Sequence, residues 1–196
     1  MLENYYRIAL IADAHGHVNL LTRALDACRK DKVDALIFLG DLIDRSDQAD
    51  ACVDALNGWR AYGVYGNHEK EIIAALAKGA DLNLHPQTIQ FFSALQDRLV
   101  IGDACCVHDE LVGATQDPAQ NFFRPAPPLA RWDARIVFVG HTHHRAAVSD
   151  SGPVDIGRGI LALNSHRRYV VNPGALFNGQ FAIWDRAESV VNFKQV

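Results

Sequence analysis

The 196-residue sequence has only four cysteines, Cys28, Cys52, Cys105 and Cys106, and none stands in a C-x-x-C spacing. That leaves no framework for a disulfide-stapled secreted fold or a cysteine-rich structural zinc site, so the thiols are read as reduced core residues. No apolar run approaches the roughly 18 residues that a membrane span needs. The segment MLENYYRIALIADAHGH lacks the basic region, apolar stretch and cleavage site of a secretory leader. The expected compartment is the cytoplasm, with no membrane partner. Neither sign of charge dominates: 19 Lys and Arg stand against 23 Asp and Glu, for a formal net charge of -4. A broad nucleic-acid surface needs clustered Lys and Arg, so nucleic acid is not expected as a large-surface partner. No repeat, low-complexity tract or linker divides the chain. Residues 1–196 are therefore read as a single domain, long enough to bury a core.

What is present is a regular alternation. YRIALIAD (6–13), DALIFLGD (34–41) and AYGVYGN (61–67) read as buried strands, the first a continuous apolar run of the kind covered on both faces. Between and after them, VNLLTRALDACRK (18–30) sets Leu20, Leu21, Ala24, Leu25 and Cys28 on one helical face. DQADACVDALNGW (47–59), stopped by Gly58, and EKEIIAALAKG (69–79) are the next helices. This rhythm predicts parallel βαβ units and an α/β class. A helix is expected over PQTIQFFSALQD (86–97), with Pro86 in its first turn, and two short strands over RLVIGDACCVH (98–108) about a Gly102–Asp103 turn. Residues 109–131, with four prolines, form a long irregular segment of the kind that often carries function. From residue 135 onward the pattern is strands and turns: RIVFVG, RAAVSDS, RGILALN, RYVVNPG, GQFAIWD and SVVNFKQ.

Five of these strands end in the same kind of residue. The first runs into Asp13 and His15, the second into Asp41, the third into Asn67 and His68, CCVH into His108, and IVFVGHTH into His141 and His143. In open α/β sheets ligands bind in the crevice beyond the strand carboxyl ends, so these side chains would converge if their strands are neighbours. D-x-H and H-x-H spacings would put both side chains on one side of an extended segment. Carboxylate, imidazole and amide oxygen without thiolate suit borderline divalent ions: manganese first, with iron, zinc or nickel as alternatives. There are donors enough for two ions, and a carboxylate such as Asp41 can bridge them. Two such ions against Asp13 and Asp41 leave residual positive charge, which favours a phosphate over a neutral carbonyl.

The motifs DAHGH (13–17), GDLIDR (40–45), GNHE (66–69), the strand-ending VH (107–108) and GHTH (140–143), followed by NPGAL (172–176), resemble those of the calcineurin-like metallophosphoesterases, in that family's order. The resemblance implies a four-layer α/β/β/α sandwich of two mixed β-sheets flanked by helices. It implies a first metal on Asp13, His15 and His143, a second on Asn67, His108 and His141, and Asp41 bridging. It makes His68 the general acid, Asp44 the partner that orients it, and Arg45 a phosphate-binding residue. The implied reaction is hydrolysis of a small phosphodiester or phosphomonoester by a metal-bridging hydroxide. GDLIDR and GNHE also resemble the branch of phosphoprotein Ser/Thr phosphatases and dinucleoside-polyphosphate hydrolases. Tyr65 stands where that branch often has a second Arg, and Gly is absent after Arg45. A non-catalytic scaffold on the same fold is the rival from another class, and the GNH acid argues against it. Asp109, where the family has Gly, is either a partner of a ligand histidine or loop surface. Phe122, Phe123 and Arg124 either contact substrate or anchor their loop, and His17, at the head of a helix beside the site, is a further substrate candidate. His85, His144 and His166 are read as bystanders.

Overall fold

The computed structural model describes residues 2–108 and 133–196. The first half runs β1 (Arg7–Ile11), α1 (Val18–Lys30), β2 (Ala35–Leu39), α2 (Ala49–Ala55), β3 (Ala61–Val64), α3 (Asn67–Ala77), α4 (Pro86–Ala94), β4 (Leu99–Ile101) and β5 (Ala104–Cys106). After residue 133 come β6 (Ile136–Phe138), β7 (Ala146–Ser149), β8 (Gly152–Pro153), β9 (Ile160–Ala162), β10 (Tyr169–Asn172), β11 (Gln180–Asp185) and β12 (Val190–Gln195). They form two six-stranded mixed sheets, ordered β3-β2-β1-β11-β12-β9 and β4-β5-β6-β10-β7-β8. β1, β2 and β3 are mutually parallel, as are β5, β6 and β10.

The strand pleat explains why the first strands are apolar throughout. Ile8 and Leu10 of β1 and Ile37 and Leu39 of β2 face inward, against Ile136, Phe138 and Val171 of the second sheet. The alternate residues Ala9, Ile11, Leu36 and Phe38 face outward, onto Leu21 and Leu25 of α1, Cys52 of α2, Ile72 of α3 and Phe92 of α4. Each such strand is buried on both faces, so no polar alternation survives. A smaller apolar cluster, including Val107, Val137, Val148 and Val170, lies on the other face of the second sheet. The architecture implied by the resemblance, two mixed sheets flanked by helices, is the one observed. No helix among the described residues is long and apolar enough to cross a membrane.

The differences from expectation are local. The ligand-bearing strands do not share one sheet: β1, β2 and β3 lie in the first, β5 and β6 in the second. The crevice beyond the strand ends is a seam between the two sheets. The helix expected over 47–59 is α2 alone, preceded by a 3₁₀ turn at Ser46–Gln48. β3 ends at Val64, and α3 begins at Asn67, earlier than expected, because Glu69 reaches back to accept a hydrogen bond from Gly66 N at 2.7 Å. The two-residue β8 exists only as the partner of β7.

Candidate metal centre

The loop leaving β1 is laced to the loop leaving β2, and the loop leaving β5 to the loop leaving β6, by backbone hydrogen bonds. Asp13 N donates to Gly40 O and His15 N to Asp41 O, each at 3.0 Å, while Gly140 N donates to His108 O at 3.3 Å. Across the seam, His141 N donates to both Asp13 carboxylate oxygens at 3.1 Å. These loops are not extended. Asp13 (φ 52°), His15 (φ 47°), Asp41 (φ 52°), His141 (φ 65°) and His143 (φ 59°) all occupy the left-handed region. The D-x-H and H-x-H pairs therefore meet through tight turns, correcting the expected extended spacing. Such backbone costs on the order of 1–3 kcal/mol per residue and persists where the surroundings over-determine it. Asp and His are among the residues that tolerate it best. Two glycines allow the loops to close. A Cβ on Gly66 would lie 2.0 Å from Asp41 Oδ1, and one on Gly40 (φ 92°) would lie 2.4 Å from His108 Nδ1.

The donors fall into groups whose ligand atoms lie within 4.8 Å of one another: Asp13, His15 and His143; Asp41, His108 and His141; and His15, Asp41 and His68. In the first group, His15 Nε2 is 3.2 Å from His143 Nε2, and His143 Nε2 is 3.5 Å from Asp13 Oδ1. In the second, His108 Nε2 is 3.2 Å from Asp41 Oδ2, 3.2 Å from Asn67 Oδ1 and 3.3 Å from His141 Nδ1. Two nitrogens about 2.1 Å from one ion, at angles of about 90–110°, lie roughly 3.0–3.4 Å apart, which is the spacing of both imidazole pairs.

Proton placement tells the same story. His108 Nδ1 sits 2.6 Å from the Leu39 carbonyl, which can only accept, so Nδ1 carries the hydrogen. His108 Nε2 then directs its lone pair at the Asp41 carboxylate oxygen and the Asn67 amide oxygen. Acceptors that face acceptors require a cation or a proton between them. Burial disfavours the charged ring, but the Asp41 and Asp13 carboxylates outweigh it and lift His108 to about 9. Asp13, fully buried, is pushed up to about 7 by desolvation. Asp41 is also buried, yet the hydrogen bond and charge of His108 hold it below the ordinary carboxylate range. His143 goes the other way from His108: burial and the neighbouring His15 push it down to about 4. The donor set thus fits a divalent cation in each group. The first would sit on Asp13, His15 and His143, the second on Asn67, His108 and His141, with Asp41 beside both.

Of the other expected residues, His68 Nε2 lies 4.0 Å from Asp41 Oδ2, on the rim of the cluster and partly exposed. Asp44 hydrogen-bonds the Nδ1 of His15, and its Oδ1 is 3.7 Å from His68 Nδ1. Arg45 is not brought into the cluster: its guanidinium takes both oxygens of Asp47, at 3.0 and 2.9 Å, and its side chain is 71% exposed. His17 is exposed, its ring tilted against Phe177 at 6.2 Å. Asp109, Phe122, Phe123 and Arg124 lie outside the described residues.

Three side chains escaped the sequence reading. Glu69 is completely buried, and its carboxylate accepts from Asp41 N (2.8 Å), Leu42 N (2.8 Å), Ile43 N (3.3 Å) and Gly66 N (2.7 Å). Burial and the charge of Asp41 raise its pKa against those bonds. Its only sequence signal is a carboxylate in the first turn of a helix within GNHE. Asn172, also fully buried, donates to Gly140 O (2.8 Å) and Thr142 Oγ1 (3.0 Å) and so fixes the GHTH turn. Phe177 packs edgewise on His15 and His143, with centroids 5.4 and 4.9 Å away.

The calcineurin-like phosphoesterase family profile matches residues 6–145. "Serine/threonine-protein phosphatase 1" of Salmonella typhimurium is 34% identical over 76 residues, which is 38% of this chain and 35% of that protein's length. A metallophosphoesterase structure from Sphaerobacter thermophilus superposes with a TM-score of 0.71 at 26% identity, covering 98% of this chain and 88% of that one. An archaeal phosphodiesterase (TM-score 0.60, 16% identity, 97% and 99% covered) and a putative diadenosine tetraphosphatase (0.59, 17%, 96% and 93%) share the fold.

Proposed function

The chain belongs to the calcineurin-like phosphoesterase family, and on that premise we propose that it is a dinuclear-metal-dependent hydrolase of a small phosphodiester or phosphomonoester. The observation that carries this reading is the sharing of Asp41. Its Oδ2 is 3.2 Å from His108 Nε2 and 4.0 Å from the Nε2 atoms of His15 and His68. Divalent ions, manganese first, would supply positive charge to the phosphate oxygens and activate water at neutral pH. The protein's part is to hold those ions, to keep the Asn67 amide oxygen toward the second, and to aim His68 at the leaving oxygen. Donation of that proton contributes about 10²–10⁴-fold.

A second reading, a phosphoprotein phosphatase or dinucleoside-polyphosphate hydrolase, draws on GDLIDR, GNHE and the stretch shared with the Salmonella phosphatase. The pairing of Arg45 with Asp47 and the presence of Tyr65 in place of a second arginine favour the small-ester reading. The test is a panel of phosphodiesters, phosphomonoesters, dinucleoside polyphosphates and phosphopeptides, assayed with manganese. Cleavage of the small esters is expected. Protein carrying two ions per chain yet inert on the whole panel would overturn the enzyme reading, and a preference for phosphopeptides or dinucleoside polyphosphates would replace it with the second.

A further inference from the structure

His15 and His68 occupy nearly equivalent positions. Their rings stand at 87° with centroids 5.1 Å apart, and each Nε2 lies 4.0 Å from Asp41 Oδ2. Behind both rings is one carboxylate, Asp44. Distance to Asp41 therefore does not distinguish a ligand from an acid; the contact on the far side does. Asp44 Oδ1 makes a hydrogen bond to His15 Nδ1, while His68 Nδ1, at 3.7 Å, is beyond hydrogen-bonding range.

We propose that Asp44 is first a positioning residue for the first metal group, holding His15 as the Nδ1–H tautomer so that Nε2 is presented to the ion, and that any service to His68 is secondary. The inference rests on the metal-dependent reading above. A carboxylate on Nδ1–H fixes the tautomer and orientation of a ligand imidazole and raises the basicity of its other nitrogen. His15 Nε2, so oriented, points at His143 Nε2, 3.2 Å away. Asp44 is itself held: its backbone N donates to Gln48 Oε1 at 2.9 Å, and Arg45 N donates to the same oxygen at 3.1 Å. Gln48 in turn lies against Gly16, where a Cβ would fall 2.3 Å from Gln48 Cδ. The DAHGH and GDLIDR loops are thereby keyed together around His15. The second group has the same arrangement in another material, since His108 Nδ1 is tied to a backbone carbonyl. A side-chain tie, unlike a carbonyl, can be removed by substitution.

The test titrates manganese calorimetrically into metal-free wild type, Asp44→Ala, His68→Ala and the double variant. Two sites are expected in the wild type. Asp44→Ala is expected to weaken one of them by about 10–100-fold and to leave the other unchanged. His68→Ala is expected to keep both, and the double variant to match Asp44→Ala. Asp44 is 44% exposed, so the melting temperature of the metal-free protein should hold. If Asp44 served only His68, Asp44→Ala would bind both ions as tightly as wild type, and the proposal would be wrong. Equal loss at both sites with a lowered melting temperature would also overturn it, by showing a merely structural role. Wild type that binds no manganese would overturn the metal-dependent reading instead.

Discussion

The two donor groups of the candidate metal centre use the same residue types in different settings. In the Asp41–His108–His141 group, the His108 side chain is 2% exposed, tied to the Leu39 carbonyl and lifted to about 9 by flanking carboxylates. In the Asp13–His15–His143 group, the His143 side chain is 38% exposed and pushed down to about 4, and His15 is tied to the side chain of Asp44 and packed by Phe177. One group is anchored in the inter-sheet core by backbone; the other is held at the mouth by replaceable side chains. The contrast teaches that a site symmetric in ligand chemistry can be asymmetric in how rigidly it is built.

Substitutions can break this contrast or sharpen it. Asp41 faces both groups, so Asp41→Asn should abolish the asymmetry by emptying both: elemental analysis is expected to find less than one ion per chain, with activity at background. Retention of two ions would remove Asp41 from its shared position. His68 is assigned to neither ion, so His68→Ala should keep both ions while turnover falls about 10²–10⁴-fold; losses should be smaller for esters with good leaving groups. Glu69→Gln tests the backbone-held side, because one carboxylate serves four N–H donors there. Charge-assisted bonds of this kind contribute about 1.5–3 kcal/mol each. A net loss of about 3 kcal/mol corresponds to a melting point roughly 6–12 °C lower, read on metal-free protein. The smallest effect belongs to Phe177→Ala, which should weaken only the first ion, by about 1 kcal/mol or roughly fivefold, measured by calorimetry.

Much of the fold was legible along the chain. The periodicity over 18–30 coincides with α1, and Pro86 opens α4 where its missing N–H costs nothing. The division into two sheets was legible through the resemblance carried by the motifs and not through periodicity, because β1 and β2 bury both faces and their apolar runs do not say against what. The boundary near residue 67 slipped for a similar reason: Glu69 ends β3 and starts α3 through a hydrogen bond to Gly66, and nothing local distinguishes that glutamate from a solvated one. At the site, residue types and motif order picked out side chains that the fold brings together, with ligand atoms in groups within 4.8 Å. The five left-handed residues were invisible, since hydrogen bonds between loops remote in sequence hold such backbone in place. Arg45 shows the converse, a motif residue whose nearest acceptor, Asp47, is two positions away on the surface.

The sequence by itself determined the chemistry on offer: apolar strands that end in carboxylates, imidazoles and an amide, with no thiolate among the donors. That follows from residue identity and needs no partner. Only the tertiary structure decided which donors meet. Grouping depends on two sheets closing over a common core, on Gly40 and Gly66 admitting their neighbours, and on protons assigned by contacts remote in sequence. Leu39 O settles the tautomer of His108, and Asp44 settles that of His15, because a hydrogen bond at one ring nitrogen dictates what the other can do.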